Sequence, residues 1–234
     1  MVKRAGKLSK PFEEMAEVSH QAVSAAIFCP QNKPPKPEYL AQIRRYLHRN
    51  PVLEPFKQAI IDIPKTWQFF ADANEDIAAL NQQPASLHPE ELRNWLLTDN
   101  EASRISIPDI MSGILALPLL TIIQIVQYFQ FLDFRGITHE QFLEEIRIGG
   151  AQGFCGGLLP AIAIAASSNV GEVVQNAGKS LRLALGIGAY GELGDDPEVP
   201  GPTTMVLRAK YPGQADEIVS KFPGVSETCS PAVA

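Results

Sequence analysis

The chain has 234 residues, 45% of them hydrophobic, which is enough for one large core. Its 20 basic and 26 acidic residues give a formal net charge of −6, and no basic stripe is present, so nucleic acid is not an expected partner. The three cysteines, Cys29, Cys155 and Cys229, are far apart and form no C-x-x-C pair. This pattern indicates a reducing, cytoplasmic environment without a disulfide framework or a metal site.

The first half of the chain is predicted to be rich in helices. Residues 1–22 form a polar lead without the apolar core of a signal peptide. Apolar residues at 23–29, ended by Pro30, predict a strand. Helical spacing of apolar residues and prolines at helix starts predict helices at 38–48, 54–63, 66–80 and 88–97, with a break near Pro64.

An uncharged stretch of 23 residues, 110–132, is long enough to span a bilayer. Gln124, Gln127 and Gln130 recur along it at every third position, and neither flank is basic. Amide groups in such a row need hydrogen-bond partners, which protein supplies and lipid does not. The pattern favours a central helix of a globular domain over a membrane span.

A short polar helix is predicted at 138–145, with a solvated His139 in its first turn, and a short apolar strand at 146–151. Next comes Gly153-Phe154-Cys155-Gly156-Gly157, followed by a small-residue helix at 158–166 that we expect to be buried on nearly all sides. Strand, glycine-flanked nucleophile and helix form the pattern of a nucleophile elbow, a strained turn with no room for bulky side chains.

The helix predicted after this turn should make the thiol of Cys155 more reactive. Its free N–H groups and positive dipole end favour the thiolate, the reactive form of cysteine. The N–H of Gly156 is placed to bind an oxyanion. The alternative is a glycine-rich loop that holds a buried, inert cysteine, a common fate of free cysteines.

Beyond the elbow, residues 171–185 are predicted to form a second helix, with Glu172 early and Lys179 and Arg182 late, as the helix dipole favours. Five glycines and three prolines at 186–202 predict a loop and a domain border. A strand at 203–209 and a helix at 214–222 follow.

The run from Gly153 to Ala161, GFCGGLLPA, resembles the starter-unit acyl carrier protein transacylase domain of fungal non-reducing polyketide synthases. The glutamine-dotted helix and residues 174–188 and 203–222 are also similar to that family. The resemblance implies an α/β fold: a hydrolase-like acyltransferase core at 23–190, with a helix-rich N-terminal half. It also implies that a small ferredoxin-like α+β subdomain starts at 203–234.

The resemblance also implies the reaction. Cys155 would accept a starter acyl group from acyl-CoA or an acyl carrier protein thioester, and would pass it to the phosphopantetheine thiol of an acyl carrier protein. Gln31 matches a glutamine that helps to form the oxyanion hole, although Cys29-Pro30 replaces the usual Gly-x before it. No bound cofactor, metal or membrane is implied.

Histidine is the main departure from the family, which has its catalytic base downstream of the nucleophile. Here all four histidines, His20, His48, His88 and His139, precede Cys155. The simplest expectation is a chain truncated before the rest of its domain. The rival interpretations are a catalytically impaired module that docks a carrier protein and a cysteine-dependent hydrolase.

Overall fold

A computed structural model describes residues 24–29, 35–82, 89–97 and 113–193. The chain divides into two compact units, Met1–Gly194 and Asp195–Ala234, and all described residues lie in the first. They are mostly helical, with one small parallel sheet. The predicted lead at 1–22, Gln31, Cys229 and the elements at 203–222 lie outside the described residues, and the proposed domain boundaries remain predictions.

The described elements follow one another in a simple order. The two strands are β1 (Ala26–Phe28) and β2 (Ala151–Gly153). The helices are α1 (Pro37–Arg49), α2 (Glu54–Ile61), α3 (Ile63–Ala73), α4 (Glu75–Ala79), α5 (Glu90–Leu97), α6 (Gly113–Arg135), α7 (His139–Glu145), α8 (Leu158–Ala165) and α9 (Val170–Leu193). Short 3-10 turns occupy Pro51–Leu53, Leu80–Gln82 and Cys155–Gly157.

The two strands pair in parallel, with Ala26 opposite Ala151 and Phe28 opposite Gly153. Their carboxyl ends therefore meet at one edge, where the Phe154 N–H donates to the Phe28 carbonyl at 2.9 Å. The predicted first strand is confirmed, but it is shorter than expected. The second is displaced from 146–151, because Gly150, at φ +70°, donates back to Ile146 in the turn that ends α7.

Helix α6 is the central helix of the described fold, packed along α9. Among the described helices it is the one long and apolar enough to cross a membrane, and 67% of its apolar window is buried inside the protein. The predicted buried core helix is therefore confirmed. Two of its glutamines find protein partners: Gln124 donates to the Cys29 carbonyl and Gln127 to the Tyr39 hydroxyl.

Helix α9 runs eight residues beyond the predicted end at 185, so the expected loop at 186–193 is wrong. The glycines there serve helix packing, since a β-carbon on Gly188 would stand 2.1 Å from the Gly113 carbonyl oxygen on α6. Lys179 and Arg182 consequently lie in the middle of a helix and are not partners of its C-terminal carbonyls.

The N-terminal helices form one hydrophobic core with α6 and α9. The predicted break at Pro64 is confirmed, because α2 ends at Ile61 and Pro64 lies in the first turn of α3. A second, unpredicted break occurs at Asn74, whose side chain accepts the Asp76 N–H at 2.9 Å and caps α4.

Candidate active site

Cys155 stands in the first turn after β2, directly before α8. It is exposed, and its φ of +51° is positive, which no other non-glycine residue in the described ranges shows. A side chain in this left-handed region costs backbone energy, and such residues persist where the surrounding structure holds them. Strand, strained cysteine and helix together have the geometry of a nucleophile elbow.

The neighbouring glycines are required by close backbone approaches. A β-carbon on Gly153 would lie 2.4 Å from the Leu158 Cα, and one on Gly157 would lie 2.2 Å from the Phe28 carbonyl oxygen. Both distances are far shorter than a van der Waals contact, and the atoms approached belong to the backbone, so they cannot rotate away. A β-carbon on Gly156 would instead meet the Cδ2 atoms of Leu120 and Leu117, at 2.8 and 3.0 Å. The turn is therefore packed tightly against β1, α8 and α6.

The start of α8 provides the electrostatic setting of the thiol. The Leu158 N–H donates to the Cys155 carbonyl, and the first turn of α8 carries no acidic residue. The positive end of the helix dipole therefore faces the turn without an opposing carboxylate. The expectation that α8 is buried on nearly all sides is wrong: Leu158 is 49% and Ile162 52% exposed.

Exposed apolar side chains lie on both sides of Cys155 in the sequence. Phe154 precedes it at 54% exposure, and Leu158 follows it by one helical turn. Ile27 of β1 points to the same open face of the sheet as Phe154, since alternate residues of a strand share a face.

The predicted oxyanion residues are only partly described. Gly156 is buried in the turn next to Cys155. Gln31 lies outside the described residues, two positions after Cys29, the last described residue of that segment. The Cys29 carbonyl accepts a 2.7 Å hydrogen bond from the Nε2 of Gln124, which sequence reasoning had not placed at the site. The repeated glutamines of α6 were the signal that could have found it.

The prediction of a solvated His139 is wrong, because the side chain is completely buried. Its Nε2 lies 2.8 Å from the Ser167 carbonyl and its Nδ1 2.5 Å from the Tyr128 hydroxyl. Since a carbonyl only accepts, Nε2 donates to Ser167 and Nδ1 accepts the proton of Tyr128. Burial raises the pKa of Tyr128, so it stays a donor. Both nitrogens are occupied, and His139 is not available to deprotonate a thiol.

The other described histidine, His48, is engaged at the end of α1, with its Nε2 2.9 Å from the Leu96 carbonyl. His20 and His88 lie outside the described residues. Within the described ranges, no group of three or more His, Cys, Asp or Glu side chains could hold a metal ion.

Arg182 faces away from the elbow helix. Ser180, two residues earlier on α9, donates to the Leu159 carbonyl in the first turn of α8 at 3.1 Å. Two residues turn a helix by about 200°, so Arg182 projects from nearly the opposite side. The pKa of the Asp62 carboxyl is lowered chiefly by the hydrogen bond from Lys65, and the nearby positive charge of Arg182 makes a smaller contribution to that lowering.

Comparisons with known proteins identify the family of the chain. The family model described as the starter unit:ACP transacylase in aflatoxin biosynthesis matches residues 66–222. The chain therefore belongs to the starter unit:ACP transacylase family of fungal non-reducing polyketide synthases.

Individual relatives give the extent of the similarity. The chain is 49% identical over 210 residues to the non-reducing polyketide synthase atr1 of Stereocaulon alpinum. The aligned region covers 89% of this chain and 8% of the relative. It is 76% identical over 116 residues to pks12 of Talaromyces marneffei, covering 50% of this chain and 6% of the relative. It is 35% identical over 210 residues to the non-reducing polyketide synthase ascC of Acremonium egyptiacum, covering 90% of this chain and 10% of the relative. The chain thus spans about a tenth or less of these relatives.

Proposed function

We propose that this chain loads a starter acyl group in polyketide biosynthesis, with Cys155 as the nucleophile. The observation that carries the proposal is the exposed thiol at φ +51°, held between β2 and the start of α8. An inert core cysteine has no need of a strained backbone, whereas a nucleophile gains access to its substrate from such a turn. Membership of the transacylase family supports an acyl carrier protein as the acceptor.

The first half-reaction forms a new thioester on the protein. The Cys155 thiolate attacks the carbonyl carbon of an acyl-CoA or acyl carrier protein thioester. A tetrahedral oxyanion forms, and the N–H of Gly156 and the side chain of Gln31 donate hydrogen bonds to it. The bond to the original sulfur then breaks, and the departing thiolate takes a proton. The phosphopantetheine thiol of the carrier protein reverses these steps to collect the acyl group.

The surroundings of the thiol favour a neutral acyl group. Phe154, before Cys155, and Leu158, three residues after it, are apolar and exposed. Arg182, the arginine of the second helix after the nucleophile, projects away from the elbow helix. A carboxylated acyl group in an apolar site without a cation would lose hydration that nothing replaces. The acyl groups expected are acetyl or longer fatty or polyketide chains.

We also propose that the parallel pair β1–β2 is part of a hydrolase-like α/β acyltransferase core at 23–190. Parallel strands are found almost entirely in α/β sheets covered by helices. The meeting of the carboxyl ends of β1 and β2 at Cys29 and Cys155 follows the rule that such sheets bind ligands at the carboxyl ends of their strands.

The experiment that tests this function follows the acyl group to its destination. The 234-residue chain is incubated with hexanoyl-CoA and then with a holo acyl carrier protein, and both proteins are weighed by intact mass spectrometry. Acylated carrier protein, lost on Cys155→Ala, supports transfer. Free hexanoic acid without acylated carrier protein would instead indicate a hydrolase.

A second candidate function is docking of the carrier protein without acyl loading. It is favoured by the state of His139, the histidine nearest to Cys155 in sequence, which is buried with both nitrogens bonded. Binding of holo carrier protein to the wild-type chain and to Cys155→Ala with equal affinity, with no acyl group on either, would support this alternative.

A further inference from the structure

Helix α9 runs antiparallel to α8 and continues past its start. The Nδ2 of Asn176 donates to the Oγ of Ser167, just after the end of α8, at 2.9 Å. One turn further along α9, the Ser180 hydroxyl donates to the Leu159 carbonyl in the first turn of α8 at 3.1 Å. Residues 181–193 of α9 therefore extend beyond the start of α8, to the side on which the elbow lies.

Helix α6 also lies antiparallel to α9. A β-carbon on Gly188 would stand 2.1 Å from the carbonyl oxygen of Gly113, the first residue of α6. Towards the other end of α6, the Tyr128 hydroxyl bonds to His139, which in turn donates to the Ser167 carbonyl just before α9. Successive turns of α6 therefore lie beside successively earlier turns of α9.

The elbow is level with the turn of α9 that carries Leu183. A β-carbon on Gly156 would meet the side chains of Leu117 and Leu120, which follow the first residue of α6 by about one and two turns. On the antiparallel α9, the same heights lie about one and two turns before Gly188. Leu183 falls within that span.

Leu183 and Ile187 project from the side of α9 that faces the elbow. Ser180 marks the direction of α8, and each further residue turns the helix by about 100°. Leu183 therefore points about 60° from the direction of Ser180, and Ile187 about 20° from it. The two side chains are 57% and 53% exposed, because they lie beyond the start of α8. They form an apolar stripe beside the turn in which Cys155 stands.

We infer that this stripe is the wall along which the acyl chain on Cys155 lies, and that Ile187 discriminates between acyl groups by their length. The inference rests on the proposed function, which places an acyl group on Cys155. Leu183, level with the elbow, contacts the first carbons of any acyl group. Ile187, about 6 Å further along α9, contacts only a longer chain. A longer chain is favoured because its methylene groups leave water when they lie against this surface.

The test uses two thiol reagents that differ only in chain length. Methyl and hexyl methanethiosulfonate each give a mixed disulfide, as the Cys155 thiolate forms the new S–S bond and methanesulfinate leaves. Peptide mass spectrometry separates the label on Cys155 from that on Cys29. The ratio of hexyl to methyl labelling of Cys155 should fall about 3–10-fold in Ile187→Ser, the effect expected when part of an aliphatic side chain is lost from a contact.

Ile148→Ser is the matched control for this substitution. Ile148 is also exposed, but it precedes β2 and lies at the amino end of the strand, away from the elbow. Its labelling ratio should stay within about twofold of wild type, since surface substitutions away from a site have small effects. Loading from hexanoyl- and acetyl-CoA, measured on the same variants, should show the same loss of preference for the longer chain in Ile187→Ser alone.

The two measurements separate the wall from the function. An unchanged labelling ratio in Ile187→Ser would overturn the inference and make the stripe a contact surface for another part of the protein. A labelling ratio that falls as expected, with no acyl group taken up by wild type from either donor, would keep the wall and refute the proposed function. Ile187→Ala repeats the test if the serine variant unfolds, and unfolding of both would make Ile187 a structural residue and overturn the inference.

Discussion

The carbonyl oxygen of Phe28 lies 2.2 Å from the position that a β-carbon on Gly157 would occupy. Both groups belong to the backbone, so neither can rotate out of the way. Gly157→Ala should therefore push β1 and the elbow apart and destabilise the fold by about 1–3 kcal/mol. It should also slow the alkylation of Cys155. Chemical denaturation and iodoacetamide labelling measure the two effects.

Gly191→Ala is the matched control for this substitution. Gly191 is also a glycine in a helical segment, but a β-carbon on it would meet nothing within 4 Å. This variant should gain about 0.5–1 kcal/mol, because alanine is the better helix former. Equal stability of the two alanine variants would contradict the close packing of the elbow against β1.

The buried contact between Tyr128 and His139 should contribute to stability. Tyr128→Phe leaves the Nδ1 of a fully buried histidine without its donor, which should cost about 1–3 kcal/mol of unfolding free energy. Tyr190→Phe removes a hydroxyl from an exposed tyrosine of α9 and should change stability by less than about 0.5 kcal/mol. A Tyr128→Phe variant as stable as wild type would show that the hydrogen bond is not needed.

Asp62 should make stability depend on acid pH. Its pKa is lowered from 3.8, first by the hydrogen bond from Lys65 and then by that from Gln58. A carboxyl with a lowered folded-state pKa adds stability above its unfolded pKa and loses it as the pH falls through the folded value. The difference in unfolding temperature between wild type and Asp62→Asn should shrink as the pH falls from about 5 to about 3. Lys65→Met should weaken this dependence, and a difference that does not vary with pH would contradict it.

Competition between acyl donors tests the character of the site. Acetyl- and hexanoyl-CoA should load Cys155 more than about tenfold faster than malonyl-CoA, because desolvation of an unpaired carboxylate costs several kcal/mol. Arg182→Ala should leave all three rates unchanged, since Arg182 projects away from α8 towards Asp62. If malonyl-CoA loads fastest and loses its advantage on Arg182→Ala, the site is of the extender-loading type.

Local sequence signals predicted the elements that depend on local chemistry. The glycines around Cys155 indicated the turn because a strained backbone leaves few residue types to choose from. Pro37 indicated the start of α1 because proline fits the first turn of a helix. Thr138 was predicted as the first residue of α7, and the structure shows that it is the N-cap and completes a capping box.

Errors arose where tertiary contacts override the local pattern. Gly186 and Gly188 indicated a loop, yet the helix continues, since the approach of α6 at Gly113 needs a residue without a side chain. His139 lies in a polar stretch, and only its contacts with Tyr128 of α6 and with Ser167, between α8 and α9, show that it is buried. The contact between Gln124 and Cys29 joins residues 95 apart in the chain, and no local pattern reports such a distance.

The central claim, that Cys155 carries the acyl group, is tested most directly by mapping that group after brief exposure to hexanoyl-CoA. Cys29 is an internal control, because it is also exposed and lies at the end of the neighbouring strand. We expect one hexanoyl group per chain on the peptide that contains Cys155. Cys29→Ala should keep this acylation and Cys155→Ala should abolish it. A hexanoyl group on Cys29, or one that persists in Cys155→Ala, would contradict the account.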